Sequence, residues 1–160
     1  MNRFRQFYIE NGNKLFAYLL RKSGSTHLAA DLVQESFTRY LERYREREDN
    51  VKLLFTIARN LFYDDKRRAK HLVLAPAEAV EPIGDTQEER YLAREQASLL
   101  LAAMDRLSDD DREILSLVSG SDLSYREVAD IQSCSIANVK VKVHRARQKL
   151  KALLEEKVHE

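Results

Sequence analysis

The sequence predicts an all-α protein: two small helical domains joined by a flexible linker, the C-terminal one containing a helix-turn-helix. Three observations lead there. The 160 residues include only four glycines and two prolines, with few β-branched runs. Apolar side chains recur at steps of three and four along most of the chain, the period of one helix face. The stretch 71–87, "HLVLAPAEAVEPIGDTQ", keeps no such period and holds both prolines and one of the four glycines, the composition of a linker. The expected layout is an N-terminal domain over 1–70, an acidic linker over 71–89 and a C-terminal domain over 90–160.

The elements follow in order. Phe4, Phe7, Tyr8, Leu15, Phe16, Leu19 and Leu20 make a first helix, whole or broken, which stops at Ser23–Ser25, "SGS". "THLAADLVQESFTRYLERYRERE" then sets Leu28, Leu32, Val33, Phe37, Tyr40, Leu41 and Tyr44 on one face, with Thr26 as its cap. Beyond the polar turn "REDN", Leu54, Phe55, Ala58, Leu61 and Phe62 mark a third helix ending in the basic cluster "DDKRRAK". The charged linker residues, Glu78, Glu81 and Asp85, are all acidic. A fourth helix carries Tyr91, Leu92, Leu99, Leu100, Ala103, Met104 and Leu107. Two N-terminus signatures follow. In "SDDDRE", Ser108 caps a turn whose three aspartates suit the helix dipole; in "SYRE", Ser124 and Glu127 form a capping box. From Ser124 to about Arg147 the pattern is helix, tight turn "SCS", helix, with Ala129 at the close-packing position and Val139 in the core.

The last helix hides a conflict. In "NVKVKVHRARQKL", residues 138–150, Val139, Val141 and Val143 alternate with polar side chains as in a half-buried strand. A wider window overrides this, because Ile136, Val139, Val143, Ala146 and Leu150 recur at helical spacing. Ser135 is a suitable N-cap, and neither Gly nor Pro interrupts Ile136 to Val158. Val141 then faces outward among Ala137, His144, Arg145 and Gln148. An apolar docking stripe with a cationic outer face is what major-groove entry requires. On that face Arg145 suits a guanine, His144 and Lys140 reach acceptors, and Val141 packs on a thymine methyl, while Lys142, Arg147 and Lys149 diverge toward phosphates.

Charge is strongly segregated beneath a formal net of +1. Residues 1–70 hold 15 Lys/Arg against 9 Asp/Glu, residues 71–133 hold 5 against 14, and residues 134–160 hold 7 against 3, giving +6, −9 and +4. Two basic ends suit two polyanion contacts. The acidic middle is expected to fold across those basic surfaces, so that the chain alone binds DNA poorly. Enzymatic readings lack a constellation: there is no glycine-rich phosphate loop, no His pair at metal spacing, and no Ser or Cys beside an identifiable base. No metal or cofactor is expected, and Cys134 reads as a small buried residue of the turn. No apolar run approaches the roughly 18 residues of a membrane span and no signal-peptide core is present, so membrane insertion is not expected and a cytoplasmic protein is.

Two separated stretches, "ADLVQESFTRYLER" with "LLFTIARNLFYDDKRR", and later "LSDDDREILSLV", "LSYREVADI" and "SIANVKVKVHRARQKL", resemble the extracytoplasmic-function class of bacterial sigma factors. The resemblance covers nearly the whole chain and implies a promoter-specificity subunit of RNA polymerase. It implies that Asp31, Gln34 and Glu35 dock on the clamp helices of the largest polymerase subunit, with a further contact at the flap region. It places a flipped −10 base at the loop 45–50, with Arg47 and Asn50 as candidates, and the −10 DNA along Arg59, Asn60, Lys66, Arg67 and Arg68. The −35 set is Asn138, Lys140, Val141, Lys142, His144, Arg145 and Arg147. An anti-sigma factor is expected by resemblance only, as is passage of the acidic linker through the polymerase channel.

Three positions depart from the family pattern. Leu53 stands where Trp is common, Ser133 replaces the usual turn glycine, and Val141 occupies a position that is often small and polar. Two other classes of function remain open at this level. One is a self-sufficient helix-turn-helix regulator whose first 70 residues dimerise or sense an effector; the other is a module that binds partner helices through its apolar stripes.

Overall fold

The computed structural model describes residues 3–45, 47–68 and 86–158, which form seven α-helices and no strand. In chain order these are α1 (Arg3–Ser23), α2 (Thr26–Tyr44), α3 (Val51–Arg68), α4 (Gln87–Asp105), α5 (Asp109–Val118), α6 (Tyr125–Gln132) and α7 (Ile136–Val158). No helix among the described residues is long and apolar enough to cross a membrane.

Local chemistry sets most of the boundaries. The first helix runs unbroken through "NGN", where the Asn11 amide donates to the Phe7 carbonyl at 3.0 Å, and it ends where Gly24 takes φ +71°. Ser25, not Thr26, caps α2: its hydroxyl accepts from the Leu28 amide at 3.1 Å, because the glycine turn brings the chain to the extended conformation an N-cap needs one residue earlier. Asn50 caps α3 through its side-chain oxygen, 3.0 Å from the Leu53 amide. The fourth helix begins at Gln87, inside the stretch 71–89 expected to be linker, since Thr86 and Glu89 complete a capping box there. The rest of that stretch, with Glu78, Glu81 and Asp85, lies outside the described residues. Ser108, the Ser124/Glu127 box and Ser135 all cap as their spacing predicts.

The helix-turn-helix closes with Ser133 in the left-handed region at φ 55°, ψ 46°. Its amide donates to the Asp130 carbonyl (3.3 Å) and the next amide, of Cys134, to the Ala129 carbonyl (3.0 Å), the paired bonds of a Schellman motif. A side chain there costs roughly 1–2 kcal/mol of backbone strain that glycine avoids, against about 0.4–1 kcal/mol of extra unfolded-state entropy. Ser133→Gly is therefore expected to stabilise the protein by about 0.5–1 kcal/mol, and to raise Tm by a few degrees in a thermal melt followed by circular dichroism.

Helices α1, α2 and α3 pack on one another, and α7 gathers α4, α5 and α6. The two groups also meet, α1 against α5 and α3 against α6, so the buried apolar side chains form one continuous cluster. Phe7, Leu15, Leu19, Phe37, Leu54 and Phe55 supply it from the first half; Ile114, Leu117, Val128, Val139 and Val143 supply it from the second.

Candidate nucleic-acid interface

Helix α7 presents the outer face that its spacing implies. Val139, Val143 and Ala146 are buried, while Val141 stands 46% exposed. Asn138, Lys140, His144, Arg145 and Arg147 are exposed beside it. Among the described residues no ion pair forms to Lys140, His144, Arg145 or Arg147, so this face carries uncompensated charge. Lys142 is set apart: half-buried, it donates to the Gln132 side chain at 3.4 Å. Lys149 is paired with Asp111 at 2.7 Å.

On α2, Asp31, Gln34 and Glu35 lie together on the exposed side, opposite the buried Leu32, Val33 and Phe37. Their only ion pairs among the described residues run along the helix, His27 to Asp31 (3.5 Å) and Arg39 to Glu35 (2.9 Å).

The loop before α3 borders a cavity lined by Arg3, Phe4, Tyr40, Tyr44, Arg47 and Asp49. The Arg47 guanidinium lies over the Tyr44 ring, 5.6 Å from its centre, and Arg3 pairs with Asp49 at 3.3 Å. Asn50 is exposed, but its side-chain oxygen is committed to the helix cap and its backbone amide donates to the Tyr40 hydroxyl at 2.9 Å. Leu53 is half-buried and packs against the core, so it offers no stacking surface in place of an aromatic.

Along α3, Asn60, Lys66, Arg67 and Arg68 are exposed and Arg59 is half-buried. Arg67 pairs within its own helix, with Asp64. Arg59 and Lys66 instead reach the other half of the molecule. The Arg59 guanidinium lies 3.3 Å from the Glu113 carboxylate, although its Nε is not aligned for a hydrogen bond, and Lys66 lies 3.1 Å from Asp109.

Glu113 is 2% exposed, and sequence reasoning did not single it out. The Lys22 ammonium pairs with it at 2.8 Å, and the hydroxyls of Tyr18 and Tyr63 donate to it at 2.8 and 3.3 Å. Lys22 also donates to the Tyr63 hydroxyl at 2.9 Å and lies over the Phe62 and Tyr63 rings. A signal was present: Lys22 follows Leu15 and Leu19 at helical spacing, a cation on an otherwise apolar stripe. Around this cluster, the Arg112 guanidinium donates to the Arg21 carbonyl at the end of α1 (2.6 Å), and Arg21 donates to the Ser119 carbonyl at the end of α5 (2.7 Å). Each half thus supplies an arginine to the other's helix terminus, where carbonyls lack partners.

Burial, reinforced by the Glu113 charge, pushes the Tyr18 and Tyr63 phenols well above their ordinary value near 10. Raised folded-state values mean a stabilising contribution that is complete below about pH 10 and is lost as pH rises through those values. Lys22 has the opposite sign: burial lowers its ammonium against the pull of Glu113, and its cost eases with rising pH. Alkaline titration followed by phenolate absorbance is therefore expected to show a late fraction from two of the seven tyrosines, which Tyr18→Phe with Tyr63→Phe removes.

Comparison with known proteins finds two family descriptions along the chain. The description "Sigma-70 region 2" matches residues 7–72 and "Sigma-70, region 4" matches residues 97–150. The chain is 36% identical to the ECF RNA polymerase sigma factor EcfG of Rhodopseudomonas palustris, a match covering 88% of this chain and 78% of that one. It is 35% identical to the ECF RNA polymerase sigma factor SigM of Bacillus subtilis, covering 88% of each. Among solved structures, the sigma factor RpoE of Bartonella quintana, in complex with the anti-sigma factor NepR, is similar with a TM-score of 0.74 at 28% identity, over 97% of this chain and 98% of that one.

Proposed function

The chain belongs to the extracytoplasmic-function class of sigma factors, non-enzymatic subunits that direct RNA polymerase to promoters, and from that premise we propose a division of labour among its exposed surfaces. The observation that carries the reading is the outer face of α7, cationic, unpaired and centred on an exposed valine. There Arg145 donates to a guanine, Lys140 and His144 reach neighbouring acceptors, and Val141 covers a thymine methyl in the −35 element. Asn138, Lys142 and Arg147 flank them and fix position on the backbone.

Asp31, Gln34 and Glu35 dock on the clamp helices of the largest polymerase subunit, with the C-terminal domain reaching the flap region. Helix α3 faces the −10 element through Arg59, Asn60, Lys66, Arg67 and Arg68. The cavity beside Arg47 receives a base turned out of the stack: the half-buried Tyr44 supplies aromatic surface and Arg3 and Arg47 supply charge for the adjoining phosphate. Asn50 contributes there through its amide NH₂, since its oxygen holds the helix. Strand opening then draws on binding energy gained only by the single-stranded state. The protein works in the cytoplasm, where the polymerase is, and takes an anti-sigma partner, a reading supported by the similarity to RpoE, which NepR binds.

Reconstitution tests this reading. Purified chain added to bacterial core polymerase on a library of genomic promoters is expected to give discrete start sites absent with core alone. Failure to produce any such transcript with a folded chain would count against it.

A further inference from the structure

Three cations on α3, Lys52, Arg59 and Lys66, stand seven residues apart, which puts them on one line along the helix at intervals of about 10 Å. Each meets a carboxylate of the C-terminal half: Lys52 meets Asp130 of α6 at 3.4 Å, Arg59 meets Glu113 of α5 at 3.3 Å, and Lys66 meets Asp109 of α5 at 3.1 Å. Lys14 of α1 adds a fourth crossing pair, with Asp122 at 2.6 Å. We propose that these carboxylates act as an internal substitute for DNA phosphates, holding the free protein closed with its −10-facing cations occupied. The proposal rests on the reading that α3 faces promoter DNA, and it adds Lys52 to that surface.

The choice of groups supports a contact made to be broken. Isolated surface ion pairs contribute little, but here the pairs are in register along a single helix, and the central carboxylate is buried with Lys22. When the halves part, Lys22, Arg59 and Glu113 are taken up by water, which solvates charges well. An equal area of apolar contact would gain nothing from water on separation. The closed state also covers unequally. The α7 face and the Asp31, Gln34, Glu35 face stay exposed, so polymerase docking can precede opening, and DNA phosphates then replace the carboxylates on α3. The masking expected from overall charge thus falls on one DNA surface, not on both.

Fluorescence anisotropy with a labelled single-stranded DNA oligonucleotide, at fixed salt and without polymerase, tests this on the full chain. Asp109→Asn with Asp130→Asn changes two exposed residues and is expected to tighten binding about fivefold. Glu113→Gln, which leaves Lys22 unpaired only in the closed state, is expected to tighten it by roughly a hundredfold and to increase the radius of gyration in small-angle scattering. Glu10→Gln with Glu42→Gln, exposed carboxylates away from the interface, makes the same change in net charge as the double variant and is expected to shift affinity less than about twofold. Equal tightening by the two double variants overturns the proposal, as does no tightening by the first. Should Glu113→Gln fail to fold, the comparison of the double variants still decides. Because polymerase is absent, a chain that fails to support transcription yet shows the expected ordering would sink the promoter assignment and leave the masking intact.

Discussion

Asp31→Lys combined with Glu35→Lys is expected to abolish co-purification with core RNA polymerase while leaving the far-ultraviolet circular dichroism unchanged. Both side chains are exposed, and they change sign without touching the stripe of Leu32, Val33, Ser36 and Phe37 that buries α2. The local cost is small. The two pairs lost, with His27 and Arg39, are exposed i,i+4 contacts of about 0.3–0.5 kcal/mol each, and the like charges created oppose by similar amounts. At the interface the change is four charge units, turning attraction into repulsion at a docking site, an effect on the order of several kcal/mol. Retention of the folded variant on core polymerase would remove this face from the docking surface.

Arg145→Ala is expected to cost about 1–3 kcal/mol in −35 recognition and to flatten the preference at one base pair. The side chain is exposed and free of ion pairs among the described residues, so its truncation leaves no buried charge and the loss reports on DNA alone. Arg147→Ala, which removes an exposed cation assigned to the DNA backbone, is the matching comparison and is expected to weaken all sequences alike. Lys142→Ala is a less clean phosphate probe than sequence spacing suggests, since its ammonium is bonded to Gln132 and its removal also loosens the turn. Transcription from a set of −35 variants separates the outcomes: an unchanged base preference for Arg145→Ala would mean that α7 enters the groove in another orientation.

Much of this architecture was legible because helix period and caps are local. Ser108, Ser124 with Glu127, and Ser135 announce their helices within four residues, and the outlying Val141 could be placed by counting turns. The misplaced cap at Thr26 and the late start assigned to the fourth helix are local errors, decided by one glycine turn and by one Thr86/Glu89 box. What sequence could not give is the meeting of the halves. Lys22 and Glu113 are 91 positions apart, and a glutamate in "DDDRE" looks like one more solvated acid until a neighbour from α1 closes over it. Nothing in their own helix announces the carboxylates that Arg59 and Lys66 meet, for the same reason. A pairing between distant helices depends on three-dimensional proximity, which periodicity along one helix does not encode.

The reciprocal arginines and the Lys22–Glu113 pair bear on how such proteins can be recombined. A chimera joining residues 1–68 of this chain to the second half of a relative would keep the promoter-reading modules intact, yet its two parts would be mismatched at the seam unless an acid faced Lys22 and an arginine reached the Arg21 carbonyl. Backbone carbonyls are generic, so the arginine contacts transfer wherever the side chain is present; the buried charge does not. On the proposed opening by polymerase, domain exchange succeeds in the bound state and shows its incompatibility as poor expression or proteolysis of the unbound chain.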